Sequence, residues 1–463
     1  MNDKSEVIVV HHVDTEGPLW ESKKATIDRV NELFSVDISY NVKLSDIIHN
    51  RQIRSKAIEN PDIETSLKKI LSNDLLNTNR TTKNLTSMLN SLFNDGFQSR
   101  FFDSYGNNYS YTWHILDHTG FRDNPRKRLL GHHRILDIYE KILRKFKRKD
   151  DEIQFHFHPV PISKSAHHCS TNYTSSNNQF ITNLVRRAID RNRFPSVYRP
   201  GFHAIRPDIA FLLESWIPFD ASNQSISEQD HFYCDTGYHQ YGDWNGAPND
   251  WTVYHPDIYE WRKKGNSKRQ ISRVLNLNTR FRNINDKEIE KAFLKASKHN
   301  NRVILGVTNH DFRNMLDEQE MFYSMLLRTS KRYNSIPFRF SSSNKAFCLY
   351  NQYQNKTKLK FAVDFDKNTI RILVTQGRIF GRQPFFCFKT NDDQYFFENL
   401  DFPIGGNKFY YTFNNHNIQL SKIQEICIVS NDCAGGQLMV KLWMEDSKIK
   451  YKKSYCDTWK IVL

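Results

Sequence analysis

Asp14 and Glu16 end the run Val7-Ile8-Val9-Val10-His11-His12-Val13, and Gly17-Pro18 stops it. His156 and His158 lie two apart in Glu152-Ile153-Gln154-Phe155-His156-Phe157-His158-Pro159, Arg199 stands just before Pro200-Gly201, and His310 with Asp311 closes a later apolar run. On a strand, residues two apart face one side, so the two imidazoles aim together. Two such histidines and a carboxylate from a neighbouring strand make the three-ligand set, with one open position, of a catalytic divalent metal. An ion held that way lowers the pKa of a bound water and polarises a carbonyl. A second carboxylate can take the water's proton, and a late histidine can protonate the leaving group. The plain alternatives are a hydrogen-bonded histidine pair on a polar sheet face, a strand-end salt bridge for Arg199 and a helix-capping role for His310.

The elements that must position these groups alternate between strand and helix. A run such as Val7–Val10, apolar without alternation, suits a strand buried on both faces, as in a parallel sheet. Further strands are expected at 109–118, 152–159, 197–201, 217–220 and 302–308, and helices at 133–149, 180–191, 207–216, 286–299 and 318–333. That alternation predicts a parallel α/β architecture, whose sites form at the C-terminal strand ends. The texture changes near 350–358. Short alternating strands then follow at 360–363, 370–374, 385–388, 426–429 and 439–443, the pattern of an all-β, sandwich-like domain. The division expected is 1–350 and 351–463.

The chain of 463 residues is 38% hydrophobic and 13% aromatic, enough for a large core. Its net charge of +15 permits a polyanionic partner, but the lysines and arginines are spread along the whole chain, so no nucleic acid is expected as a partner. No apolar run is long enough to span a membrane. Seven cysteines without a CxxC pair suit reduced thiols. With the first strand following Met1–Glu6 directly, a cytoplasmic protein is expected; oligomeric state is left open. Between 235 and 256, Tyr238, His239, Tyr241, Asp243, Trp244, Asn245, Asp250, Trp251, Tyr254 and His255 make an aromatic, polar loop. Such a loop suits sugar stacking at a site mouth; packing of the rings is the alternative. Trp244, Trp251 and Tyr254, together with His114 on the second strand, are the expected substrate contacts. The basic run Lys263–Arg269 with Arg273 suits a solvated face or, failing that, a phosphate.

Taken together, the motifs show a resemblance. Val13-Asp14-Thr15-Glu16-Gly17-Pro18 resembles the first motif of the polysaccharide deacetylase superfamily, usually Asp-Asp-Gly-Pro. Tyr198-Arg199-Pro200-Gly201-Phe202, with a helix and then Ile217-Pro218-Phe219-Asp220-Ala221-Ser222, resembles its third motif. Thr308-Asn309-His310-Asp311-Phe312 resembles the last, and Thr112-Trp113-His114-Ile115-Leu116 its second strand. The resemblance, over about Glu6 to Tyr333, implies a distorted (β/α) barrel and a divalent ion, zinc by type. The activity it implies is hydrolysis of an N-acetyl group on an amino sugar, with a carbohydrate as the partner. It implies Asp14 as base, Arg199 orienting it, and His310 as acid with Asp311 beside it in the catalytic set. His156, His158 and either Asp14 or Glu16 are then the metal ligands. The family usually spaces its histidines four apart, so His167-His168 is a rival source, and Asp-Thr-Glu stands in place of Asp-Asp. The alternative function is a catalytically inactive carbohydrate-binding or scaffold protein of glycan biosynthesis on the same fold.

Overall fold

The run Val7–Val10 is buried on both faces because it lies in the wall of a closed barrel. The computed structural model describes residues 5–20, 22–60, 62–71, 79–122, 129–166, 170, 172–226, 242–279, 282–299, 301–353, 358–403, 406–445 and 448–454. The barrel strands are β1 (Glu6–Thr15), β2 (Tyr111–Leu116), β3 (Glu152–Phe157), β4 (Val197–Pro200), β5 (Phe219–Asn223), β6 (Gln270–Asn276) and β7 (Arg302–His310). They run in the order β2-β3-β4-β5-β6-β7-β1, and β1 pairs back to β2. Every one of these pairings is parallel. An eighth strand, β8 (Phe338–Phe340), pairs with β1 at Val7–Val9, and β2 takes over from His11 onward. The barrel is therefore distorted at a seam where β1 changes neighbour.

Alternation along the strands separates outside from inside. Val7, Val9, Val13, Trp113 and Ile115 pack outward with Leu136, Tyr139, Phe293 and Phe322 of the surrounding helices. Ile8, Val10, Val197, Ala221, Val274 and Ile304 face inward and cluster with Ala346 and Phe347. The helix Ser343–Tyr350 supplies the last two and plugs the lower end, with Phe347 stacked on Phe219 at 4.3 Å between centroids. Each such apolar side chain contributes roughly 1.5–3 kcal/mol on burial. Glu152 holds the plug: its carboxylate accepts from the backbone N–H of Asn344 at 2.9 Å and of Lys345 at 3.2 Å, and from the Ser342 hydroxyl. An anion at a helix N-terminus meets unsatisfied donors and the positive end of the dipole.

Among the described residues, all antiparallel strands follow residue 359. They are β9 (Lys360–Asp366), β10 (Thr369–Gln376), β11 (Phe385–Thr390), β12 (Tyr395–Glu398), β13 (Lys408–Thr412), β14 (Ile423–Asn431), β15 (Gln437–Glu445) and β16 (Lys448–Ser454). They form one sheet β13-β10-β9 and another β12-β11-β14-β15-β16, whose facing sides interdigitate through Phe361, Ile370, Ile372, Phe386, Phe388, Ile428 and Val440. The far side of the larger sheet carries Phe385, Cys387, Val429 and Met439, which join Phe180, Leu184, Leu213 and Trp216 of the barrel's outer helices in one cluster. An α/β barrel followed by an antiparallel β region is thus the architecture. Among the described residues, no helix is long and apolar enough to cross a membrane.

β6, β8, β12, β13 and β16 fall outside the strands expected from sequence. β6 is disguised by Arg269 and Arg273 at and near its start, which read as a solvated basic run. Both are buried instead: Arg269 pairs with Asp220 and Arg273 with Glu288, each at 2.5 Å.

Candidate active site

The strand tips meet at the C-terminal mouth of the barrel. β1 delivers Asp14 and Glu16, β3 delivers His156 with His158 just beyond it, β4 delivers Arg199, and β7 ends on His310. One donor atom each from Glu16, His156 and His158 lies within 4.8 Å of the others. His156 Nε2 is 3.0 Å from His158 Nε2, which is 3.3 Å from Glu16 Oε1. Ligand bonds of the length zinc makes to nitrogen, arranged tetrahedrally, separate their donors by about 3.3 Å. The spacing therefore fits a small divalent cation. His156 Nδ1–H donates to the Arg199 carbonyl at 2.8 Å, which fixes the tautomer and turns the Nε2 lone pair toward the cluster.

Asp14 is placed for a different task. Arg199 Nε donates to its Oδ1 at 2.6 Å, while Nη1 donates to the Ala221 carbonyl at 2.7 Å and Nη2 to His203 Nδ1 at 3.2 Å. Its nearer imidazole contact is His156 Nδ1 at 3.9 Å, on the face of that ring turned away from the ligand nitrogen. The geometry thus groups Glu16, not Asp14, with the two histidines. His310 Nε2 completes the rim, 4.0 Å from Asp14 Oδ2 and 3.8 Å from Glu16 Oε1.

The turn after β4 backs the cluster. A Cβ on Gly201 would lie 2.3 Å from His158 Cδ2, so only glycine leaves room for that ring. Phe202 and His203 follow with φ of +52° and +54°, a left-handed conformation that costs L residues about 1–2 kcal/mol each. The strain is held by Gly242 N–H donating to the Phe202 carbonyl at 3.1 Å and Trp244 Nε1–H to the His203 carbonyl at 3.0 Å. Strained residues of this kind cluster at functional sites.

Asp311, expected beside His310 in the catalytic set, faces the other way, because successive side chains at a strand end point to opposite sides. Its carboxylate accepts from the backbone N–H of Glu16 at 3.0 Å and of Gly17 at 2.9 Å, and from the Tyr139 hydroxyl at 2.9 Å. It clamps the tip of β1, and burial pushes its carboxyl up to about 7. The expected substrate contacts also lie elsewhere. Trp244 is wholly buried, Trp251 packs under Arg273 with its Nε1–H on the Glu288 carbonyl, and Tyr254 donates to the Trp261 carbonyl. These rings are spent on packing, so their faces are not offered to a sugar. His114 sits below the cluster, its Nε2 2.9 Å from His12 Nδ1. Tyr238, His239, Tyr241 and the rival pair His167-His168 lie outside the described residues. Sequence reasoning passed over His203 and His118; the latter's Nε2–H donates to the Glu16 carbonyl at 3.2 Å. A histidine four residues past Arg199, and one ending the second strand, were the available signals.

No family model matches the chain, and no curated protein matches it. Among solved structures, an alpha-L-fucosidase aligns over 90% of this chain and 93% of that chain, at 10% identity and a TM-score of 0.26, a likeness too slight to carry an argument.

Proposed function

We propose that the barrel is a cation-dependent hydrolase that removes an acyl group, by preference N-acetyl, from an amino sugar or glycan precursor in a reducing, cytosolic setting. The observation that carries this is the spacing of Glu16, His156 and His158, with Asp14 and His310 on either side. The order of motifs resembling those of polysaccharide deacetylases supports the same reading. Glu16, His156 and His158 would hold the ion, zinc by the chemistry of the donor set, and the bound ion would supply Lewis acidity toward an amide carbonyl and a more acidic water. Asp14, oriented by Arg199, receives the proton that the attacking water gives up. His310 gives a proton to the departing amine nitrogen, so that amide and water become a carboxylic acid and a free amine.

Paired substitutions test the assignment. Glu16→Gln should lower zinc content at equilibrium dialysis, whereas Asp14→Asn should keep zinc and lose about 10²–10⁴-fold in release of acetate from N-acetylglucosamine oligomers. A wild-type protein that binds no divalent ion, or a Glu16→Gln variant with undiminished affinity, refutes the metal site. Zinc binding without turnover of any acylated amino sugar would leave a carbohydrate-binding barrel instead.

A further inference from the structure

A second cleft, away from the barrel mouth, lies where the antiparallel region meets the barrel. Its volume is about 530 Å³, and its charged lining is cationic: Lys268 from the barrel side, with Arg378 and Arg382 from the loop after β10. No carboxylate among the described residues lines it. Among the described residues neither arginine takes part in an ion pair, and both are exposed. Phe402, 45% exposed, forms part of the wall.

The cleft is built rather than incidental. The arginine loop is pinned to the barrel at Gly381, where a Cβ would lie 1.7 Å from the Ser215 carbonyl oxygen. Between the two arginines, Phe380 is fully buried and its N–H donates to the Asn431 carbonyl at 2.8 Å. Lys268 Nζ donates to the Phe380 carbonyl at 3.1 Å, which ties the barrel's cation to the loop that carries the other two. A fixed backbone spares the cost of ordering the loop, and the planar guanidinium fork matches carboxylate or phosphate oxygens, so less side-chain freedom is lost per hydrogen bond formed.

We infer that this cleft binds an anionic glycan, with Lys268, Arg378 and Arg382 on its acidic groups and Phe402 against a sugar face. The volume lies within the range of small-ligand sites. The cationic surface is short and interrupted: Lys360 and Lys408 stand exposed on the same sheet near the cleft, and farther along Arg371 is neutralised by Asp364 and Asp366. A nucleic acid needs a longer cationic track than that. The cleft does not depend on the barrel chemistry. A dead barrel with an intact cleft, or the reverse, would show in separate assays.

The test is calorimetric titration of the full chain with galacturonate oligomers. Neutral dextran oligomers of similar length, inorganic phosphate and a short single-stranded DNA serve as the other arms. Binding of the galacturonate oligomer is expected, weakened at least about tenfold in the Arg378→Ala/Arg382→Ala variant. Phe402→Ala should also weaken it, and dextran should not bind. Because all three side chains are exposed, the variants should keep the wild-type thermal midpoint, and Arg378→Lys/Arg382→Lys should restore part of the affinity. Absence of galacturonate binding, or unchanged binding in the double alanine variant, overturns the proposal. Phosphate alone binding as tightly as the oligomer, or DNA binding more tightly, overturns the glycan assignment.

Discussion

Replacing Gly201 by alanine should displace the proposed metal ligand His158 without changing any proposed ligand residue. The added Cβ would sit 2.3 Å from Cδ2, 2.6 Å from Cγ and 2.9 Å from Nε2 of His158. Ordinary van der Waals contact begins at 3.4 Å, so relieving the worst overlap moves the ring by about 1.1 Å, far beyond what a packed site absorbs. His158 Nε2 lies 3.0 Å from His156 Nε2 and 3.3 Å from Glu16 Oε1, and a shift of that size dissolves the three-donor arrangement. Misplacing a ligand through its support typically costs about 10–100-fold in metal affinity, or about 1.4–2.7 kcal/mol. The measurement is a competition titration of zinc against a chromophoric chelator, run beside thermal unfolding of the metal-free protein. The expected outcome is weakened zinc binding and a matching loss of turnover, with the metal-free protein still folded. A Gly201→Ala protein with wild-type zinc affinity would refute both the role of His158 as ligand and the reasoning from the turn.

Two further outcomes follow from buried carboxyl groups. Burial raises the Glu318 carboxyl from 4.5 to about 7, so the folded protein holds a proton there that the unfolded chain releases between those values. The associated stability is present below about pH 4.5 and is lost as pH rises through 7, a difference of about 3 kcal/mol. Urea unfolding across that window should show the decline in wild type and a flatter profile in Glu318→Gln; parallel profiles would argue against it. Glu152→Ala removes the acceptor for the Asn344 and Lys345 N–H groups and the Ser342 hydroxyl, and should lower unfolding free energy by about 1–3 kcal/mol. An unchanged urea midpoint would mean that the plug helix does not depend on its cap.

The positions of the reactive groups were legible because strand geometry is local. An unalternated apolar run, a two-residue spacing of histidines and an Arg-Pro-Gly turn each say where a side chain stands on a strand. Which carboxylate joins the histidines was not legible. It is decided by Arg199, 185 residues from Asp14 in sequence, whose Nε engages Asp14 and leaves Glu16 grouped with the histidines. Asp311 was misplaced for the converse reason: adjacency in sequence suggested a shared role with His310, yet alternation turns it toward Tyr139 on the outer helix. The tryptophans of the 242–256 segment were unreadable because sequence shows an aromatic but not which way its ring faces. Arg269 and Arg273 hid a barrel strand because their partners, Asp220 and Glu288, come from separate elements.

The other histidines around the cluster bear on where a proton can come from. Burial, and after it the positive charge of Arg199, pushes the imidazoles of His12 and His203 well below the usual histidine range. In His114 burial is again the largest cause, with His12 and Arg199 adding to it. These rings stay neutral at physiological pH and serve as hydrogen-bonding filler, because protonating any of them would set a second positive charge near the guanidinium in a medium that screens poorly. In the proposed reaction the departing amine is then protonated from the solvent side of the site. Of the described imidazoles at the cluster, His156 and His158 have side chains 1% and 3% exposed, whereas that of His310 is 19% exposed. His310 is therefore the group that can both reach the cluster and exchange its proton with water after each turnover. Exposure of its side chain thus supports His310 as the proposed acid independently of its motif.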